Sequence, residues 1–224
     1  MLQRKNKKIF IYIFLFLIIA TFNNKNLDIS NFFKIASISI KGLDEKNKFE
    51  LSKNLNFLKN DNIFLLDKSE IKSVIETNNL VEKYSVFIIY PSSIKIVIKK
   101  TNLLAYVNKG SEIFLLGSNG KLIKSNKLEK NLPSIFGDFK TKNFFELKDA
   151  MLESNFSFSD IKNLYFFKSG RWDIETHSGL KIKLPKNDLK KTLDLLVNIL
   201  DKFGSEKITS IDLRQKNHVI IDEQ

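Results

Sequence analysis

The chain has 224 residues, a net charge of +12 and no cysteine. Without thiols there are no disulfide staples, no thiol catalysis and no cysteine-held zinc. The 37 basic residues are spread along the chain among 25 acids instead of forming one short block, which argues against a nucleic-acid-binding surface.

The first element in chain order is an uncharged apolar run, residues 9–22, reading IFIYIFLFLIIATF behind Arg4, Lys5, Lys7 and Lys8. At about 1.5 Å per residue it covers about 21 Å, short of the roughly 30 Å of bilayer hydrocarbon. Lys7 and Lys8 can snorkel, and Asn23 and Asn24 suit the headgroup layer. A cleaved signal peptide has the same basic start. Its cleavage site wants small residues at −1 and −3, whereas Ala20 follows Ile18 two positions earlier. The reading adopted is a cytoplasmic stub (1–8) and a single uncleaved transmembrane helix (9–24). The basic residues in front keep the N-terminus in the cytoplasm and put the folded mass on the far side.

A polar connector leads into a first folded unit, residues 33–107. Ile38 and Ile40 alternate with serines as in a strand that Gly42 ends. Leu51, Leu55 and Leu58 recur at helical spacing, and Ser69 can cap a second helix with Ile71, Val74 and Ile75 on its buried face. Residues 84–89 are apolar and β-prone, Pro91-Ser92 breaks them, and Ile94, Ile96 and Ile98 form the next strand. The order is β-α-α-β-β.

The second unit, residues 108–224, is β-rich. Short strands at 112–116 and 121–123 flank a Gly-Ser-Asn-Gly turn. Leu132-Pro133 and Gly137 mark a loop, 143–154 suits a helix, and 164–168, 172–176 and 180–184 form a meander. Leu189, Leu193, Leu196 and Leu200 mark one face of a late helix. Strands at 209–213 and 218–221 close the chain. The fold class is therefore α+β: one N-terminal helix, a β-α-α-β-β domain and a β domain with a late helix.

No catalytic, cofactor-binding or metal-binding residue is assigned. His177 and His218 fall in separate strands without metal spacing, and no G-x-S-x-G, S-x-x-K or phosphate loop occurs. Asp160 and Asp188 read as helix caps. The closing strand has little after it to cover its edge, and uncovered edges recruit extended partners.

Several short motifs appear in a familiar order: Phe33, Ile38, Ile40 and Gly42; Asn62-Ile63-Phe64-Leu65-Leu66-Asp67; Val81, Val86, Tyr90-Pro91, Ile94, Ile96, Ile98 and Ala105; Leu132-Pro133 to Gly137; Arg171-Trp172; and Asp212-Leu213-Arg214. Together they resemble the bacterial cell-division family FtsQ/DivIB. Ile88, Tyr90, Lys100-Thr101 and Leu103 depart from its usual Arg, Trp, Glu-Arg and Pro. The resemblance implies that the β-α-α-β-β unit is a POTRA domain. It further implies a non-enzymatic scaffold, single-pass in the inner membrane with its bulk periplasmic and enriched at the division site, without cofactor, small-molecule substrate or nucleic acid. It would recruit the coiled-coil proteins FtsB and FtsL by strand addition and regulate septal peptidoglycan synthesis. The family's contact positions carry over to Arg171, Gln215, Asn217, His218, Val219 and Ile220. The rivals are a POTRA-bearing envelope protein in secretion or outer-membrane assembly, and an anchored periplasmic enzyme.

Overall fold

The computed structural model describes residues 3–21, 33–110, 112–124, 131–204, 208–216 and 218–223. The N-terminal run forms one helix, α1 (Gln3–Thr21), whose side chains from Ile9 to Ile19 are exposed all round. Among the described residues no helix is long and apolar enough to cross a membrane. The four cations of the first six helical residues shorten the apolar part of α1 to the 9–21 stretch.

The next segment runs β1 (Ser37–Lys41), α2 (Glu45–Asn54), a 3-10 turn (Asn56–Leu58), α3 (Lys68–Glu76), β2 (Val81–Ile89) and β3 (Ser93–Lys100), the β-α-α-β-β order read from the sequence. Its sheet is ordered β1-β3-β2, with β1 parallel to β3 in the register Ser37↔Ser93 to Lys41↔Val97. Ile35, Ile40, Leu51, Leu55, Leu58, Ile63, Ile71, Ile94 and Ile96 are buried. Asp44 caps α2. The cap of α3 is Asp67 and not Ser69. The Asp67 carboxylate accepts from the Ser69 backbone at 2.7 Å and from its hydroxyl at 2.8 Å, which holds that carboxyl below its ordinary pKa. A carboxylate at a helix N-terminus also complements the helix dipole.

The chain separates into two compact units, Met1–Val74 with Ser85–Val97, and Ile75–Tyr84 with Ile98–Gln224. Local hydrogen bonds explain why the start of β2 belongs to the second. Asn119 donates from Nδ2 to the carbonyls of Asn79 and Val81, each at 2.9 Å. The Glu82 carboxylate accepts from the hydroxyls of Thr101 at 2.9 Å and Ser118 at 2.8 Å.

The second unit contains a nine-stranded sheet: β4 (Leu103–Lys109), β5 (Glu112–Gly117), β6 (Leu122–Lys124), β7 (Ser134–Phe136), β8 (Ile161–Phe166), β9 (Trp172–Thr176), β10 (Lys181–Lys183), β11 (Ile208–Asp212) and β12 (Ile220–Glu223). In space the order is β12-β11-β10-β9-β8-β7-β4-β5-β6. The junction expected at 107/108 falls inside β4, a strand of this sheet. β7, expected as loop, is a three-residue strand parallel to both β4 and β8.

The helices α4 (Thr141–Glu153) and α5 (Leu189–Phe203) supply the other half of the core. Phe144, Leu147 and Met151 on α4 and Leu193 and Leu196 on α5 are buried in one cluster with Ile135, Leu164, Trp172, Ile174, Ile182 and Ile211 of the sheet. Each such side chain stabilises the fold by about 1.5–3 kcal/mol relative to exposure. Asp188 stands at the α5 N-cap in left-handed backbone (φ 58), and its carboxylate makes no cap hydrogen bond. Its carbonyl instead accepts from the amide and hydroxyl of Thr192, each at 3.0 Å. Asp160 is not a cap; it ends a 3-10 turn, and its carbonyl accepts from the His177 amide at 2.8 Å.

Candidate partner-binding edge

β12 is the last strand of the sheet. It pairs antiparallel with β11 in the register Asp212↔Ile220, Ile211↔Ile221 and Ser210↔Asp222. Side chains alternate between faces along a strand. Ile211 and Ile221 therefore face the core, while Asp212 and Ile220 face away from it. Ile220 is 48 % exposed, and the other edge of β12 has no strand beside it among the described residues.

The turn into β12 is held by charge. The Arg214 guanidinium grips the Asp212 carboxylate from two nitrogens, with Nε at 2.8 and 2.9 Å and Nη2 closer still. The Arg214 amide donates to the same carboxylate at 3.0 Å, and Leu213 is tied by its amide to the Lys183 carbonyl at 2.9 Å. Across the strands Asp173, Lys183 and Asp212 stand in one register row. Arg171 joins this row from the turn before β9. Its Nε lies 3.8 Å from Asp173 Oδ1, beyond hydrogen-bond reach, and its guanidinium stacks 4.5 Å from the Phe167 ring centre.

These contacts push the two aspartates in opposite directions. The bond from Arg214 lowers the Asp212 pKa despite the desolvation that opposes it. Burial raises the Asp173 pKa, only partly offset by Arg171, Arg214 and Lys183. Asp212 therefore favours the fold above its ordinary value of 3.8 and loses that contribution as the pH falls through its lowered folded value. Asp173 favours the fold below 3.8 and opposes it once the pH rises through its raised value. Asp212→Asn is expected to cost about 1–3 kcal/mol at neutral pH, with the deficit closing in acid. Asp173→Asn is expected to be neutral or stabilising at neutral pH. Urea titrations across the acid range check both, and a larger loss from Asp173→Asn than from Asp212→Asn at pH 7 contradicts the assignment.

Beside the turn lies a groove of about 530 Å³ between the start of α5 and residues 213–216 and 218. Lys186, Lys191, Lys216 and His218 line it with apolar Leu195 and Leu213, and Asp188 is its one carboxylate. Of the residues implied by the resemblance, Gln215 and His218 line this groove. Ile220 opens β12, Val219 packs half-buried against the core, and Asn217 lies outside the described residues. Arg171 is not in the groove but in the charge row of β9 to β11. The row Asp173-Lys183-Asp212 went unread in the sequence because it depends on strand register, and the groove lysines because they come together from the loop before α5, from α5 and from the turn after β11.

Among the described residues no group of three or more His, Asp or Glu side chains is placed to hold a metal. What the edge offers chemically is a line of backbone donors and acceptors, one exposed apolar side chain and a cationic flank.

The β-α-α-β-β order of the first domain is that of the POTRA-bearing class. Residues 33–100 match the family model "POTRA domain, FtsQ-type", and residues 105–214 match "Cell division protein FtsQ/DivIB, C-terminal". The chain belongs to the FtsQ/DivIB family, a non-enzymatic family of cell-division proteins. It is 25 % identical over 198 residues to the cell division protein FtsQ of Rickettsia bellii (strain RML369-C), covering 85 % of this chain and 73 % of that protein. It is also similar to the major extracytoplasmic domain of DivIB from Geobacillus stearothermophilus, at 14 % identity and a TM-score of 0.36, over 47 % of this chain and 95 % of that one.

Proposed function

We propose that this chain is a non-enzymatic scaffold of the division site. In this reading it is held in the bacterial inner membrane by α1, and its β domain recruits an FtsB/FtsL pair by strand addition to β12. That complex then regulates septal peptidoglycan synthesis. The observation that carries the reading is the position of β12 at the end of the nine-stranded sheet, with Ile220 exposed and a cationic groove alongside. An added strand makes main-chain hydrogen bonds to such an edge, and side chains at its flanks set specificity. The groove favours a partner with acidic residues next to the added strand.

The membrane part rests on α1. A helix apolar on every side is stable only in an apolar surrounding, and its side chains from Ile9 to Ile19 are exposed. Its apolar stretch, residues 9–21, measures about 20 Å, so in this reading the lysines at its start reach up to the headgroups to make up the roughly 30 Å of hydrocarbon. By the positive-inside rule the cations favour a cytoplasmic N-terminus, which in this reading leaves the two units periplasmic. Tethering at one membrane site raises the effective concentration of weak partners, so a short strand is sufficient contact.

The test is Ile220→Asp. Half-exposed Ile220 can be changed without opening the core, unlike Val219. We expect co-purification with an FtsB-like coiled coil to fall at least about tenfold, which is about 1.4 kcal/mol, with unchanged thermal unfolding. Binding at wild-type strength by the folded variant would sink the strand-addition site.

A further inference from the structure

We propose that an aromatic cluster of the POTRA domain, formed by Phe33, Phe64, Leu65 and Tyr90, is a lipid-contacting surface that seats the domain on the bilayer; this rests on reading α1 as membrane-inserted. Three separate segments build the cluster. The Ile63 amide donates to the Phe33 carbonyl and the Ile35 amide to the Asp61 carbonyl, each at 2.9 Å, and Lys34 bridges to Asn62. The Ala36 amide donates to the Ser92 carbonyl at 2.8 Å, which brings in the turn after Tyr90. The Phe33 and Phe64 rings then meet edge to face at 4.9 Å, and Phe64 stacks on Tyr90 at 5.1 Å.

The rings pack on one another and still face outward. Phe64 is 59 % exposed, Leu65 82 % and Tyr90 59 %. Their outward position is built into the backbone. The Asn62 side chain accepts from the Phe64 amide at 3.0 Å, and the Asn62 carbonyl accepts from the Leu65 amide at 2.9 Å, so a tight turn presents both side chains. Contiguous exposed apolar side chains of this kind mark a binding surface.

Chain continuity names the occupant. Phe33 is the first described residue after α1, and eleven residues separate it from Thr21. That length reaches at most about 40 Å. The cluster is the part of the domain where the chain arrives from α1. Lys34 and Lys68 adjoin the cluster in sequence, and an amphipathic Tyr ring with lysine side chains that can snorkel suits the headgroup layer. The nearby acids are Asp61 and Asp67, and the latter is engaged by Ser69.

The absence of cysteine makes the test clean, because an introduced cysteine is the only thiol. The full chain bearing Leu65→Cys, labelled with an environment-sensitive dye, is reconstituted in vesicles of phosphatidylethanolamine and phosphatidylglycerol doped with a spin-labelled lipid. Lys41→Cys, exposed at the opposite end of β1, is the reference. We expect the dye at position 65 to be quenched at least about twofold more than at 41, as for side chains at the acyl boundary. Adding Phe64→Ser and Tyr90→Ser should remove the difference. Equal, weak quenching at both positions in a chain that floats with the vesicles overturns the proposal and leaves the anchor intact. A chain that fails to float overturns both. Shielding of position 65 only when a protein partner is added assigns the surface to that partner and overturns the lipid reading.

Discussion

Gly137→Ala is expected to cost the β domain roughly 3–5 kcal/mol, a large share of the roughly 5–15 kcal/mol that holds an ordinary domain folded. Gly137 follows β7 directly and has φ +102, a backbone conformation that side-chain-bearing residues avoid. A Cβ there would also overlap the Phe166 carbonyl oxygen and lie 3.0 Å from its carbon. That carbonyl belongs to the last residue of β8, which is paired with Trp172 of β9, so it cannot move aside without disturbing the ladder. Gly179→Ala separates the two costs. Gly179 has φ +90 but open space around its Cα, so alanine there meets only the backbone penalty, about 1–2 kcal/mol. Urea unfolding of both variants, followed by circular dichroism, measures the difference, and equal losses would mean that the overlap is relieved cheaply.

The second large effect is at Trp172, which is 2 % exposed. Its ring lies 4.7 Å from Phe166 and 5.7 Å from Phe139, and its carbonyl accepts from the Leu184 amide at 2.9 Å. Trp172→Ala should cost about 3–5 kcal/mol, while Trp172→Phe, which keeps most of the ring contact, should cost less than half as much. Because this is the chain's single tryptophan, the loss has to be followed by circular dichroism and not by fluorescence. A loss under about 1 kcal/mol would show that the site collapses around the gap. Arg171 shares the Trp172 turn, so the alanine variant should also loosen the Arg171–Asp173 contact. Partner binding therefore needs to be read on the milder phenylalanine variant.

The elements that were legible in the sequence are those with long periodic patterns. The leucine stripe of α5 and the two helices between β1 and β2 stand out because several turns repeat the same spacing. β7 did not, since three residues carry no measurable period, and its neighbours β4 and β8 are distant in sequence. The parallel pairings of β1 with β3 and β10 with β11 are likewise invisible locally. The closing strand was expected at 218–221 and forms at 220–223, because a run of Val and Ile fits either register. That shift puts His218 in the turn and leaves Ile220 as the outward apolar residue of the strand. At α3 the cap moved from Ser69 to Asp67, a competition between two good acceptors that spacing alone does not decide.

The order of strands in the large sheet has a mechanical consequence. A segment added along β12 would become a tenth strand, continuous with β11, β10 and the strands beyond. A pull along its axis would load its inter-strand hydrogen bonds side by side, as shear, whereas a pull across the sheet would open them one at a time. Such a joint is strong in one direction and readily undone in the other. The direction of the force would then decide how long the partner stays attached, independently of its affinity at rest.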